Sequence, residues 1–269
     1  MDYDFINELE TAINAAKKAG DKILEIYEKD FEVCYKADES PVTEADIAAN
    51  TIIETMLKAK FPEDGFLTEE AIDDDSRFKR KRFWIIDPLD GTKEFVKKNG
   101  EFAVNIGLVE NGEVLLGVIY VPYTETVYYA VKGQGAYQER DGIKSQIHVS
   151  DRQESYRLLI SRSHPSKKTL GVLYAYNDRI YSITKMGSSL KGCMIASGDY
   201  DVYYNFGRSM KWDTCAMDCI VSEAGGILRR LDDEPIDYME REKVNYGFYI
   251  LNRLENKVDL DKLKHLINI

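Results

Sequence analysis

Residues 84–92 read Trp-Ile-Ile-Asp-Pro-Leu-Asp-Gly-Thr, and this stretch decides how the rest of the chain is interpreted. Its first three residues are apolar and have the composition of a buried strand. The strand runs into a turn that contains Asp87 and Asp90. Within the turn, Pro88 fixes one φ angle and Gly91 permits a positive φ or a close backbone approach. A buried strand therefore delivers two carboxylates into one tight turn.

Two carboxylates in such a turn favour a bound cation. At a separation of about 4 Å they repel each other by roughly 4 kcal/mol at an effective dielectric constant of ~20, and a cation between them reverses the sign. The candidate ligands are all oxygen atoms, without suitably spaced His or Cys, which favours Mg²⁺, Mn²⁺ or Ca²⁺ over zinc. Acidic turns after strands are also common as purely structural features, so this stretch alone leaves both readings open.

Further acidic positions occur before and after the turn. Glu69 and Glu70 follow a predicted strand, and Asp213 stands where a later helix should begin. Each has a structural alternative: the two glutamates start an acidic run, and Asp213 is an ordinary N-cap candidate. Thr43 and Asp46 likewise match a capping box, which needs no functional explanation.

The first half of the chain combines helical and strand patterns. Apolar residues at helical spacing predict a helix over residues 2–27, with Asp2 as its N-cap, and a second helix that begins near Thr43. Asn111-Gly112 between two apolar runs indicates a hairpin. The predicted strands cover residues 83–86, 102–109, 114–121 and 126–131. Residues 1–147 are thus predicted to form an α+β half, with two helices on a largely antiparallel sheet, that carries most of the acidic ligands.

After about His148 strands and helices alternate, which predicts a mixed α/β half over residues 148–269. The predicted strands are 157–161, 180–184 and 202–206, and the predicted helices are 188–197 and 211–224. No Pro-, Gly- or Ser-rich linker separates the halves, so we expect them to pack tightly and to complete one site together.

Composition excludes several classes of function. The 269 residues are 44% apolar and carry a net charge of −11, which disfavours binding to a nucleic-acid polymer. No apolar stretch approaches the ~18 residues of a membrane span, and the acidic start lacks the features of a signal peptide, so we expect a soluble cytoplasmic protein without a membrane partner. Cys215 and Cys219 lie four residues apart on a predicted helix and are expected to be small, reduced, buried side chains.

Together the acidic segments resemble the family of lithium-sensitive, magnesium-dependent phosphatases that includes inositol monophosphatase. The family pattern is Thr-x-x-Asp, Glu-Glu, Trp-x-x-Asp-Pro-x-Asp-Gly-Thr and Trp-Asp, in this order. The matching residues are Thr43 with Asp46, Glu69-Glu70, Trp84–Thr92 and Trp212-Asp213. The resemblance spans roughly residues 5 to 230 and implies a layered α-β-α-β-α sandwich with the site between the halves. Members of the family are often dimeric, so a homodimer is one expected assembly.

Finer features resemble the 3′(2′),5′-bisphosphate nucleotidase branch of this family. They are Gly91–Phe95, Asn99–Ile106, Ser161–His164 and Gly187–Lys191. One departure is Cys215, where the branch usually has alanine, and we expect it to affect packing only.

The resemblance assigns roles to particular residues. It implies two or three Mg²⁺ ions, for which Mn²⁺ can substitute, that bind the ester phosphate and activate a water. The implied metal ligands are Glu69, Asp87, the Leu89 carbonyl, Asp90 and Asp213, and the implied catalytic residues are Asp46, Thr92 and Glu69. Thr92 would accept the proton of the water and Asp46 would orient Thr92. The candidates for substrate binding are Gly91, Thr92, Asp213, Lys93, His164, Gly187, Ser188 and Lys191, with Arg208 as a further candidate for a second phosphate.

The expected substrate is a small phosphorylated metabolite. The branch implies adenosine 3′,5′-bisphosphate, hydrolysed to AMP and phosphate. Inositol monophosphate or another sugar phosphate is the alternative within the family, and a catalytically silent metal-dependent sensor is the alternative of another class. The net negative charge fits a phosphatase if metal ions mediate between the protein and the phosphate.

Overall fold

The structure, a computed structural model, describes residues 5–36, 41–163 and 166–262, with the exception of the Ser76 side chain. Helices and two main sheets alternate in layers. The helices are α1 (Ile6–Tyr27), α2 (Glu44–Lys60), α3 (Thr92–Val96), α4 (Lys167–Ala175), α5 (Leu190–Ala196) and α6 (Lys211–Glu223). The strands are β1 (Val33–Tyr35), β2 (Pro41–Thr43), β3 (Gly65–Thr68), β4 (Arg82–Asp90), β5 (Ala103–Glu110), β6 (Glu113–Val121), β7 (Thr126–Val131), β8 (Ala136–Arg140), β9 (Ile143–Ile147), β10 (Tyr156–Ser161), β11 (Ile180–Met186), β12 (Val202–Asn205), β13 (Ser209–Met210), β14 (Ile227–Arg230), β15 (Val244–Asn245) and β16 (Phe248–Leu251).

The outer helical layer consists of α1 and α2, which pack side by side on the first sheet. The predicted start of α2 is confirmed: Thr43 is its N-cap, and the Asp46 carboxylate accepts a hydrogen bond from the Thr43 amide in a capping box. The first helix is confirmed from Ile6 onward, and the predicted cap Asp2 lies outside the described residues.

The first sheet has seven strands in the order β3-β4-β5-β6-β7-β8-β9. Strands β3 and β4 are parallel, and the remaining neighbours are antiparallel. The predicted hairpin is confirmed, because Asn111 and Gly112 both have positive φ angles, 51° and 84°, as a two-residue hairpin turn requires. Strands β8 and β9 extend this sheet beyond the predicted strands.

The second sheet has five strands in the order β11-β10-β12-β16-β14. Its first three strands are parallel, and β16 runs antiparallel to both β12 and β14. The predicted mixed character is therefore confirmed. Helix α4 covers one face of this sheet through Val172.

Helices α5 and α6 lie between the two sheets. Their buried side chains join the facing sides of both sheets in one apolar core. In the first sheet, glycines let α6 approach closely: a Cβ atom at Gly117 would lie 2.3 Å from the Ala216 carbonyl oxygen, and one at Gly107 would lie 2.5 Å from the Cys215 sulfur. The layered α-β-α-β-α sandwich is confirmed, whereas the division at residues 147 and 148 into two halves stays a prediction.

Several details differ from the sequence-based expectation. The strand predicted over residues 83–86 continues to Asp90, so the acidic turn is largely part of β4. Asp213 is the third residue of α6 and not its N-cap, which is Met210. The expectation that Cys215 and Cys219 are reduced and buried is confirmed: both are buried free thiols, as is Cys193, whereas Cys34 is an exposed one. Across residues 5–36, 41–163 and 166–262, every helix is too short or too polar to cross a membrane.

Candidate active site

An irregularity in β4 brings two carboxylates to the same side of the first sheet. In a regular strand, side chains alternate between faces, so residues three apart point in opposite directions. Here Asp87 pairs with Asn105 and Asp90 pairs with Ala103, which leaves one extra residue in β4 between the two pairs. The extra residue reverses the alternation, and both carboxylates therefore face α6.

Asp213 completes a cluster of three carboxylates. It stands in the first turn of α6, where its Oδ2 accepts a hydrogen bond of 2.7 Å from the Met210 amide. Single carboxylate oxygens of Asp87, Asp90 and Asp213 all lie within 4.8 Å of one another. Asp87 and Asp213 are 126 positions apart in the sequence. They lie close together because α6 packs directly on the first sheet.

Burial and mutual repulsion raise the pKa values of this cluster. Burial has the largest effect on Asp87 and Asp213, whose pKa values lie well above the ordinary range, and neighbouring carboxylates raise them further. Burial also raises the pKa of Asp90, but the charge of Lys191 and hydrogen bonds from Ser189 oppose this effect. The charged forms of these carboxylates repel one another, and a bound cation would offset that repulsion.

Glu69 lies beside this cluster at the end of β3. Because Thr68 is the register partner of Ile86, the next residues along the two parallel strands, Glu69 and Asp87, are neighbours. The Lys36 ammonium lies 2.6 Å from both Glu69 and Glu70. Lys36 was not among the residues singled out in the sequence, and it supplies a positive charge where the family pattern places metal ligands.

A hydrogen-bonded group beside the acidic cluster consists of Asp46, Thr92 and the Leu89 carbonyl. The Thr92 hydroxyl lies 3.1 Å from Asp46 Oδ1 and 3.1 Å from the Leu89 carbonyl oxygen. The other Asp46 oxygen accepts hydrogen bonds of 2.7 Å from the hydroxyl and amide of Thr43. Burial raises the pKa of Asp46 to about 6, although the hydrogen bonds from Thr43 lower it.

The turn at Gly91 carries the chain from β4 into the short helix α3. Gly91 has a φ of 93°, and a Cβ atom there would lie 2.8 Å from the Glu101 carbonyl oxygen, so both its conformation and its surroundings require glycine. Lys93, on α3, lines the same cleft.

The loop before α5 reaches back to the acidic cluster. Ser188 has a positive φ of 48°. The next residue, Ser189, donates its amide to Asp90 Oδ2 at 2.5 Å and its hydroxyl to Asn105 at 2.7 Å. Lys191 is buried and donates to the Ser188 carbonyl at 2.5 Å. The loop therefore fixes Asp90 and brings an ammonium close to it.

The sequence analysis assigned no role to Ser189 or Asn105, although both lie in segments that resemble the nucleotidase branch, Gly187–Lys191 and Asn99–Ile106. Asn105 gave a further signal, because it is the only polar side chain in the otherwise apolar stretch 102–109. Ser189 gave no such further signal, since its partners lie 84 and 99 residues away.

Two further carboxylates, Glu94 and Glu101, accept hydrogen bonds from residues just after β10 and from the loop before α5. Glu101 accepts hydrogen bonds of 2.6 and 2.5 Å from the Arg162 guanidinium and 2.7 Å from the Gly187 amide. The Ser163 hydroxyl donates to Glu94. His164, the next residue and a predicted substrate ligand, lies outside the described residues.

The acidic cluster, Thr92 and the loop before α5 line one cleft of about 880 Å³ between the two sheets. This volume is within the range of sites for small molecules, which is about 300–1,000 Å³. The predicted residues Glu69, Asp87, Leu89, Asp90, Gly91, Thr92, Lys93, Gly187, Ser188, Lys191, Arg208 and Asp213 all line it. Asp46 lies behind the cleft wall and contacts it through Thr92.

The sequence of the chain is similar to that of known proteins. The model of the inositol monophosphatase family matches residues 7–254. The 3′(2′),5′-bisphosphate nucleotidase CysQ of Salmonella typhimurium is 40% identical over 246 residues, which cover 90% of this chain and 98% of that protein. The nucleotidase of the same name from Buchnera aphidicola is 39% identical over 92% of this chain and 96% of that protein.

The fold is also similar to solved structures of proteins named CysQ and IMPase. CysQ from Bacteroides thetaiotaomicron superimposes with a TM-score of 0.81 at 36% identity, covering 93% of this chain and 99% of that one. An IMPase from Thermotoga maritima superimposes with a TM-score of 0.80 at 28% identity, covering 97% of each chain.

Proposed function

The chain belongs to the inositol monophosphatase family, and from this premise we propose that it is a magnesium-dependent phosphatase that hydrolyses adenosine 3′,5′-bisphosphate to AMP and phosphate. The single observation that carries the proposal is the cluster of Asp87, Asp90 and Asp213, whose oxygens lie within 4.8 Å of one another inside a cleft. The relatives named as bisphosphate nucleotidases at about 40% identity support the choice of substrate.

The donor atoms of the cluster fit Mg²⁺. They are carboxylate oxygens, without a sulfur or imidazole nitrogen among them, and hard oxygen donors suit Mg²⁺ and Mn²⁺. Burial raises the pKa values of Asp87 and Asp213, so a bound cation would stabilise their charged forms. We assign Asp87, Asp90, Asp213, Glu69 and the Leu89 carbonyl as the metal ligands.

Bound Mg²⁺ would supply positive charge to the phosphate and lower the pKa of a water. The chain supplies the proton acceptor: the Thr92 hydroxyl, which already donates toward Asp46 and the Leu89 carbonyl, has its lone pairs available to a water on the cleft side. Thr43 holds the Asp46 carboxylate by two hydrogen bonds and so fixes the direction in which Thr92 donates. When Thr92 takes the proton of a water, its own hydroxyl proton passes to Asp46 Oδ1, so the two residues act as a proton relay.

Recognition of the phosphates falls to the cations and amides around the cluster. Lys191 is buried beside Asp90, and Lys93 lies on the helix that follows Gly91. We assign these residues, together with Gly91, Gly187 and Ser188, to substrate binding, and His164 stays a candidate from the sequence. A cleft of about 880 Å³ has room for a nucleotide. A homodimer and a cytoplasmic location stay predictions from the sequence.

The test measures phosphate release from adenosine 3′,5′-bisphosphate, inositol 1-phosphate and fructose 1,6-bisphosphate in parallel, with Mg²⁺ and with added Li⁺. We expect a preference for the nucleotide and inhibition by Li⁺. A preference for either sugar phosphate would overturn the substrate assignment but retain the chemistry. Absence of release from all three would favour a sensor without turnover.

A pair of variants tests the proton relay. Thr92→Ser keeps the hydroxyl and should retain most of kcat, whereas Thr92→Val keeps the shape and should lower kcat by about 10²- to 10⁴-fold. Equal activities of the two variants would exclude Thr92 as the proton acceptor.

A further inference from the structure

Strands β13 and β15 form a two-residue antiparallel ladder at the mouth of the cleft. Ser209 is the register partner of Asn245, and Met210 that of Val244. Extending this register by one residue places Arg208 opposite Tyr246. The guanidinium carbon of Arg208 lies 5.5 Å from the centroid of the Tyr246 ring, a distance typical of a cation–π contact.

The ladder is connected to the acidic cluster. The Met210 amide donates to the Asp213 carboxylate at 2.7 Å, and the Asn245 side chain donates to the Met210 carbonyl at 3.1 Å. Arg208, Ser209 and Val244 all line the cleft. The pair of Arg208 and Tyr246 therefore has a fixed position relative to the groups that would hold the reacting phosphate.

Arg208 differs from other cations of the cleft in how it is held. Lys36 is paired with two glutamates, and Lys191 is buried and bonded to the Ser188 carbonyl. Within the ranges that the structure describes, Arg208 has neither an ion pair nor a hydrogen bond, and its contact is the Tyr246 ring, which is itself 64% exposed. In a chain with 47 acidic residues, an arginine held by an aromatic ring and not by a carboxylate has its donors and one face available to a ligand.

We propose that Arg208, supported from behind by Tyr246, is the platform on which the base of the nucleotide substrate stacks. This inference rests on the proposed function and names the residues that would discriminate a nucleotide from a sugar phosphate. A planar guanidinium stacks on aromatic rings on both of its faces, whereas the ammonium of lysine cannot. Stacking of a base on such a surface is tolerant of sequence but demands an aromatic ligand.

The experiment compares two substrates that carry the same phosphates. One is adenosine 3′,5′-bisphosphate, and the other is methyl riboside 3,5-bisphosphate, which lacks the base. For Arg208→Lys and Tyr246→Ala we expect KM for the nucleotide to rise about tenfold at unchanged kcat, while KM for the abasic substrate stays within about twofold of wild type. Tyr246→Phe keeps the ring and should behave as wild type.

A matched control is available on the second sheet. Tyr181 is 70% exposed and lies 5.2 Å below the Arg152 guanidinium, but neither residue lines the cleft. Tyr181→Ala should leave KM for both substrates unchanged. Binding of AMP and of ribose 5-phosphate, measured by titration calorimetry with Mg²⁺, provides a readout without turnover, and only AMP should bind more weakly to Tyr246→Ala.

Each outcome has a separate meaning. Equal loss on both substrates would overturn the platform and indicate that Arg208 contacts the second phosphate. Unchanged KM in Arg208→Lys and Tyr246→Ala would also overturn it. Failure of wild-type protein to hydrolyse or bind either nucleotide would refute the proposed function instead.

Discussion

Gly117→Ala tests whether contact between α6 and the first sheet sets the geometry of the acidic cluster. The new Cβ atom would lie 2.3 Å from the Ala216 carbonyl oxygen and 3.0 Å from the carbonyl carbon. Cβ contacts below 3.0 Å essentially do not occur, so the separation must grow by about 1 Å. The obstructing atom belongs to the helix backbone and cannot rotate aside. Helix α6 must therefore shift and carry Asp213 with it.

The shift matters because magnesium sites tolerate little displacement. Ligand oxygens lie about 2.0–2.1 Å from Mg²⁺, and sites are typically defined within about 0.2 Å. A displacement of about 1 Å at Asp213 is several times this tolerance, and misplacement of this size can cost on the order of 10²-fold in rate. Crowding in the core should also destabilise the fold by about 1–3 kcal/mol.

The assay measures kcat, the Mg²⁺ concentration for half-maximal rate and the free energy of unfolding in urea. Val118→Ala is the matched control, because Val118 is the next residue of β6 but packs on the opposite side of the sheet, beneath α1 and α2. It should lose about 2 kcal/mol of stability with normal kcat and normal Mg²⁺ dependence. If Gly117→Ala has the same kinetics as this control, the reasoning about helix position is wrong.

The remaining predictions concern charge. Asp90→Asn removes one of three crowded carboxylates, so the metal-free variant should melt at a higher temperature than wild type while Mg²⁺-dependent phosphate release disappears; persistent release would exclude the site. The pKa of Asp46 is raised to about 6, and burial also raises those of Asp87 and Asp213, so the native state binds protons that the unfolded state does not. For Asp46 the resulting penalty is full above the native pKa of about 6 and is lost gradually as the pH falls from there to the ordinary aspartate pKa of 3.8; thermal scans with a chelator should therefore show higher stability at pH 5.5 than at pH 7.5, and Mg²⁺ should reduce the difference. Glu101→Gln weakens the bonds to Arg162 and the Gly187 loop, and we expect KM for the nucleotide to rise about tenfold with less than a twofold change in kcat; a fall in kcat alone would contradict a positioning role.

The features that could be predicted from sequence are those encoded by nearby residues. The capping box of Thr43 and Asp46 spans four residues, and the Asn111-Gly112 hairpin needs only the conformational preferences of its two turn residues. The strand and acidic turn at residues 84–92 likewise indicated oxygen ligands for a metal. In these cases local chemistry and the final structure agree, as expected for a foldable sequence.

The features that could not be predicted depend on contacts between distant segments. Lys36 reaches Glu69 across 33 positions, and Ser189 reaches Asp90 across 99. Neither lysine nor serine is distinctive by itself, since most residues of these types are solvated. The extra residue in β4 was also invisible, because only the register with β5 shows that Asp87 and Asp90 share a side.

Helix α6 packs against both sheets, which limits how the two sheets can move apart. One apolar core joins α6 to the facing sides of the two sheets, so they cannot separate without exposing that core to water. Amide hydrogens in β5 and in β16 should therefore exchange with solvent through the same global event, at the same free energy. Ligands must then enter and leave through the existing mouth of the cleft, because a hinge between the sheets would cost as much as unfolding.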